Sequence, residues 1–279
     1  MREGADWLEV ADRIFVRRYG FFDQSIGAVI GSEGVLVVDT RSTHAQADEL
    51  QRDLRALTPL PVSAAVNTHH HYDHTFGNAR FGSLPIWAHE RCAELLRTDA
   101  EVERMRRHAI DELPDMAAEL SAVAITPPTD TFDETATLDL GERLVELRYL
   151  GHGHTDNDIV VRVPDAGVLF AGDLLENDAP PSFGDAYPVA WAETVGERLL
   201  PLVRDVVVPG HGTPGGRELA ERCAGELGLM ARLIQSAMSG MIGLDEVLAT
   251  SPYPEDTTRT AVDRGHHELE NPPHHPRGG

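Results

Sequence analysis

Residues 67–74 read Asn-Thr-His-His-His-Tyr-Asp-His and contain the pattern His-x-His-x-Asp-His from His69 to His74. With 14 histidines in 279 residues, such a match arises by chance in roughly three chains per thousand, so the pattern calls for a chemical reason. Imidazole and carboxylate groups at this density suit divalent metal ions. The preceding Val62–Val66 reads as a strand, so the backbone enters the motif extended and residues two apart point the same way. His69 and His71 can then share one ion. Asp73 and His74, where the chain must turn, can face a second. His70 and Tyr72 point away, and a packed or hydrogen-bonded histidine is preferred for His70 over a ligand.

Three further candidates follow strands in the same manner: His154 in Gly151-His-Gly-His-Thr-Asp156, Asp173 in Phe170-Ala-Gly-Asp173, and His211 in Val208-Pro-Gly-His-Gly212. Any one of them alone would more often be structural. Four strand ends delivering such groups to one sheet edge are hard to explain by packing. His152 competes with His154 for the first ion. His154 is preferred because Gly153 permits close backbone approach and Thr155 can orient the ligand from behind.

The elements that must hold these groups alternate strand and helix. Arg13–Arg18, Ser25–Gly31 and Gly34–Asp39 read as strands. Thr43 and Gln46 can form a capping box before a helix carrying Ala47, Leu50, Leu54 and Leu57, ended by Pro59 and Pro61. Pro85–Ala88 is a further short strand. Residues 90–121 read as a helical insertion with Val102, Met105, Ala109 and Leu113 on one stripe. Strands resume at Arg143–Leu150, Asp158–Val163 and Val168–Ala171. A Pro/Gly-rich loop spans Glu176–Pro188, then a helix places Trp191, Val195, Leu199 and Leu202 on one face. Asp205–Val208 is a strand, and a long helix aligns Leu219, Cys223, Leu227, Met230, Ile234 and Met238. The expected organisation is one α/β domain over residues 1–262: two mixed β-sheets packed face to face with helices outside. A flexible His/Pro/Gly-containing tail follows at 263–279.

Composition excludes several classes. The formal net charge is -22, with 24 basic residues against 46 acidic, which disfavours a nucleic-acid partner. Every basic residue is arginine, so lysine Schiff-base chemistry is out. Cys92 and Cys223 imply neither a disulfide framework nor a thiolate metal site. No Gly-x-Ser-x-Gly elbow and no phosphate-cradling loop appears. Without an apolar leader or a bilayer-length span, a soluble cytoplasmic protein acting on a small molecule is expected. Oligomeric state is not legible.

From about Arg13 to Gly212 these motifs, in this order, resemble the metallo-β-lactamase-fold superfamily. The resemblance implies an αββα four-layer sandwich with metals at one edge. It assigns His69, His71 and His154 to the first ion, Asp73, His74 and His211 to the second, and Asp173 to a bridge. Asp39 matches an early aspartate that steadies the metal loops, a role compatible with plain helix capping. The implied cofactor is two Zn2+, with iron or manganese also suited to these donors. The implied chemistry is a dinuclear-zinc-bound hydroxide attacking an ester, thioester, lactone or amide carbonyl, with Asp73 orienting it and passing a proton to the leaving group. Asp173 stands where many lactamases of this fold carry cysteine, which weakens a β-lactamase reading and favours lactonase- or thioesterase-like relatives. A mononuclear-iron oxidoreductase resembling persulfide dioxygenases is the alternative from another class, and a binding or scaffold protein with degenerate metal sites is a third. Tyr19, Phe21, Phe22, Phe183 and Tyr187 are candidate pocket walls, with the insertion as a cap over an apolar-to-aromatic substrate.

Overall fold

The computed structural model describes residues 7–272. The first half runs β1 (Leu8–Ala11), β2 (Ile14–Tyr19), β3 (Gln24–Ile30), β4 (Val35–Val38), α1 (His44–Leu57), β5 (Val62–Val66), α2 (Tyr72–Thr75) and β6 (Ile86–His89). The insertion follows as α3 (Glu90–Arg97), α4 (Asp99–Glu112) and α5 (Ala117–Ser121). The second half runs β7 (Asp130–Phe132), β8 (Thr135–Asp139), β9 (Leu144–Tyr149), β10 (Ile159–Val163), β11 (Val168–Glu176), α6 (Pro188–Glu193), β12 (Val206–His211), α7 (Arg217–Met238), α8 (Leu244–Thr250) and α9 (Glu255–Glu270). A π-helical stretch, Thr194–Leu199, extends α6.

Three layers of apolar contact explain the stacking. In β4, Leu36 and Val38 join Leu147, Val161, Phe170 and Val208 in the cluster between the two halves of the sheet. Their neighbours Val35 and Val37 turn the other way, onto Leu50 and Leu54 of α1. Phe170 of β11 faces inward while Leu169 and Ala171 face Val195, Leu219 and Met230. Period-two alternation with both faces buried is what a strand covered on each side requires. The αββα layering follows. The two expected sheets, however, are joined. Their order is β7-β6-β5-β4-β3-β12-β11-β10-β9-β8, and β3 meets β12 through the single pair Gln24 and His211.

Helix α1 starts where Thr43 accepts from the Gln46 amide at 3.3 Å, and the Gln46 side chain reaches back to the Ser42 amide. The insertion is three helices whose Cys92, Leu96, Met105, Ala109 and Leu120 pack on Tyr72 and Phe76 of the metal-motif segment. At the C-terminal end the expected tail is corrected: α9 continues to Glu270, and only residues 273–279 of the expected tail lie outside the described ones. Helix α9 lacks an apolar stripe because it buries small groups. A Cβ on Gly265 would come within 2.6 Å of Ile234 in α7.

Candidate metal centre

The loop after β5 and the first turn of α2 bring four of the motif's residues, His69, His71, Asp73 and His74, to the edge where β3 meets β12. His69, His71, His154 and Asp173 offer ligand atoms all within 4.8 Å of one another, and so do Asp73, His74 and His211. Asp173 lies between the groups. Its Oδ2 is 3.5 Å from His154 Nε2, 3.7 Å from His69 Nε2 and 3.4 Å from His211 Nε2, while Oδ1 is 3.4 Å from His74 Nε2. Asp73 Oδ2 is 3.2 Å from His74 Nε2 and 3.3 Å from His211 Nε2. His154 Nε2 and His71 Nδ1 are 2.9 Å apart.

Each imidazole has its outward nitrogen engaged, which leaves the other for the centre. Asp39 accepts from His74 Nδ1 at 2.8 Å and, on the same oxygen, from the Thr68 hydroxyl at 2.9 Å. Its other oxygen accepts from the Thr68 amide. The Thr68 oxygen in turn takes the His69 Nδ1 proton at 3.1 Å. His154 Nδ1 donates to the Ser182 carbonyl, and His211 Nδ1 to the Phe22 carbonyl. His71 is reversed: its Nε2 faces both oxygens of Asp185 at 3.1 and 3.2 Å, so Nδ1 is the inward atom. Asp39 holds this position at φ 65°, a strained conformation for a residue with a side chain. Since Thr43 caps α1, the capping alternative for Asp39 falls away.

The donor set fits metal ions on two grounds. His69 Nε2 and Asp173 Oδ1 are buried without a hydrogen-bond partner, an arrangement that costs stability unless something else meets them. The second ground is the donor chemistry, imidazole nitrogens and carboxylate oxygens without sulfur. Burial pushes the Asp73 and Asp173 carboxyls up, yet the surrounding imidazoles outweigh it and hold both well below the usual range. Burial pushes His74 and His211 down, and the carboxylates Asp73 and Asp173 reverse this and raise both. His69, with burial dominant, is lowered. Gly210 permits the close packing, since a Cβ there would sit 1.8 Å from Asp173 Oδ1.

Over the centre lies a cavity of about 420 Å³. Phe22, Met105, Ala179, Pro180 and Gly184 supply apolar wall, and Arg104, His108 and Glu112 of α4 make the insertion part of it. Other expected pocket residues lie elsewhere. Tyr19 is buried under α1 and donates to Asp53, with Arg41 over its ring. Phe183 packs against Trp191 and Tyr253 in the outer core. Phe21 does not line the cavity; its ring meets that of Phe22 at 4.5 Å, tilted by 53°. Tyr187 and His152 pack on each other at a separate cleft lined by His89 and Arg264. The outward nitrogen of His154 meets the Ser182 carbonyl and not Thr155, whose hydroxyl accepts from the Asn157 amide. His70 is buried, its Nδ1 meeting Asn157. Asp185 carries no sequence signal of its own, being one of three acids in the Pro/Gly loop with Glu176 and Asp178.

A family model described as the metallo-beta-lactamase superfamily matches residues 19–211. The chain belongs to that superfamily. It is 27% identical over 223 residues to a linear primary-alkylsulfatase of Pseudomonas sp. (strain ATCC 19151), covering 68% of this chain. It spans only 42% of that relative's length. It is 27% identical over 224 residues to an acyl-coenzyme A thioesterase of Gallus gallus, covering 72% of this chain and 76% of the thioesterase. A solved metallo-beta-lactamase from Pontibacter korlensis superposes with a TM-score of 0.61 at 22% identity, over 80% of this chain and 98% of that one, which establishes the fold. No helix among the described residues is long and apolar enough to cross a membrane.

Proposed function

We propose that this chain is a hydrolase carrying two zinc ions, cleaving an ester, thioester, lactone or amide carbonyl of a small molecule. The observation that carries the reading is the meeting of seven donors, two of them buried and unpartnered, at the floor of an open cavity. His69, His71 and His154 would hold one ion, Asp73, His74 and His211 the other, with Asp173 shared. Divalent ions bound there supply Lewis acidity and make water nucleophilic near neutral pH. Nitrogen and oxygen donors without sulfur suit zinc, and would accept iron or manganese.

The chain's own groups do the rest. Asp73 lines the cavity, and its carboxylate would orient the attacking water and pass a proton to the leaving group. The apolar patch of Phe22, Met105 and Pro180 would seat the substrate's hydrocarbon part and exclude water from one side. The chain's strong negative charge argues against polyanionic nucleic acid. The thioesterase and alkylsulfatase relatives support cleavage of small esters and add sulfate esters to the substrates worth testing.

The test is a panel of lactone, thioester, carboxylic ester, β-lactam and sulfate ester substrates, with and without a chelator. Hydrolysis that a chelator abolishes and zinc restores supports the reading. Hydrolysis unaffected by complete metal removal refutes it. One iron per chain with sulfite formed from a persulfide, and no hydrolysis, replaces it.

A further inference from the structure

Helix α9 lies beyond the segment that matches the superfamily, which ends at residue 211. Two of its side chains, one turn apart, grip the segment that runs from beside the metal centre into the first turn of α6. The Arg264 guanidinium donates to the Asp185 carbonyl at 2.9 Å and the Ala186 carbonyl at 3.1 Å. The buried Glu268 carboxylate accepts from the Val189 and Ala190 amides, both at 2.8 Å. Backbone carbonyls on one side and amides on the other are thus held by a single helix face. That helix is itself seated closely on α7 through Gly265.

The gripped segment reaches the metal centre on one side only. Asp185 fixes the outward nitrogen of His71, and the Ser182 carbonyl fixes that of His154. Both histidines belong to the first group of ligands. The second group takes its outer contacts elsewhere, His74 from Asp39 and His211 from the Phe22 carbonyl. No residue of 182–190 touches them through those nitrogens.

We propose that α9 is the positioning element of the first metal site, acting through Arg264 on Asp185 and thereby on His71. Arg264 meets neither metal nor substrate. It holds the backbone that aims the Asp185 carboxylate, and so keeps His71 in the tautomer that turns Nδ1 inward. The inference rests on the metal-centre reading above.

The test is zinc titration of the full chain against a competing chelator, for wild type and Arg264→Ala, repeated in His211→Ala and His69→Ala backgrounds. Wild type is expected to bind two equivalents. In the His211→Ala background, where the first site remains, Arg264→Ala should weaken zinc binding by about tenfold or more. In the His69→Ala background, where the second site remains, it should change nothing. Arg264→Lys, able to reach one carbonyl, should fall between. Cobalt in place of zinc gives an independent readout, since a misaimed imidazole alters the absorption of the first-site ion alone. Equal weakening of both sites, or a fall in the melting temperature of metal-free Arg264→Ala with unchanged zinc affinity, would make α9 merely structural and overturn the proposal. A wild-type chain that takes up no zinc at all would instead refute the metal centre itself, and the proposal with it.

Discussion

Asp39→Asn changes one atom of the buried network and has consequences that can be worked through bond by bond. One Asp39 oxygen accepts the Thr68 amide at 2.8 Å; the other accepts the Thr68 hydroxyl at 2.9 Å and His74 Nδ1 at 2.8 Å. In the asparagine the carbonyl oxygen must stay on the Thr68 amide, because an NH2 group there would meet another donor. The NH2 group then faces His74 Nδ1. A neutral His74 must accept at Nδ1 and carry its proton on Nε2, the nitrogen aimed at Asp73 and Asp173. That nitrogen is no longer a ligand. Loss of such an outer partner costs about 10–100-fold in metal affinity, and here the loss should fall on the second site. If His74 does not switch, two donors confront each other in a buried place, a cost of about 1–3 kcal/mol. In the metal-free protein, where Asp73, Asp173 and Asp39 favour the protonated imidazole, loss of the Asp39 charge should also lower stability. Chelator-competition titration and thermal melting of metal-free protein measure the two effects. An Asp39→Asn protein that binds both equivalents with wild-type affinity would refute the reasoning.

Other expectations follow from the same geometry. Asp173→Ala should abolish metal-dependent hydrolysis and reduce metal content, checked by elemental analysis beside kinetics, since its carboxylate touches both ligand groups. Gly210→Ala should destabilise by about 1–3 kcal/mol through overpacking and displace Asp173, because the new methyl would sit 1.8 Å from its Oδ1; thermal melting and metal content together detect this. Zinc binding should release protons at pH 7 and tighten as pH rises. The carboxylates raise His74 and His211 above their ordinary range, so in the metal-free protein they bind protons that zinc must displace. Calorimetry in buffers of different ionisation enthalpy counts those protons, and no release would contradict the assignment. The stabilising effect of these two histidines on the metal-free fold is present below about pH 6.5 and is lost as pH passes their raised values.

What could be read from the chain was whatever its own neighbours encode. His69 to His74 form a contiguous motif behind a short apolar strand, and continuous apolar runs such as Val35–Val38 announce burial on both faces. Positions of the remaining ligands were legible because each follows such a run. The groups that aim those ligands were not. Asp185 meets His71 from 114 residues away, and the Ser182 and Phe22 contributions are backbone carbonyls, which leave no side-chain signature. Aromatic identity does not reveal direction, so Tyr19 and Phe183 were expected in the pocket and lie in the core. Thr155 sits beside His154 in the sequence, but the ring's outward nitrogen meets the Ser182 carbonyl 28 residues away. Strands β7 and β8 are short, and β8 is largely exposed, which hides them from pattern reading. Helix α9 was missed because Thr258, Ala261 and Gly265 pack through close approach rather than through a wide apolar face.

A dinuclear centre requires two cations at defined places among the seven donors. Anomalous X-ray scattering measured at the zinc absorption edge from zinc-loaded crystals locates them directly. Two peaks about 3.5–4 Å apart, one among His69, His71 and His154 and the other among Asp73, His74 and His211, with Asp173 between, are the expected result. A single peak at some other cluster, or none at full zinc occupancy of the solution, would contradict it.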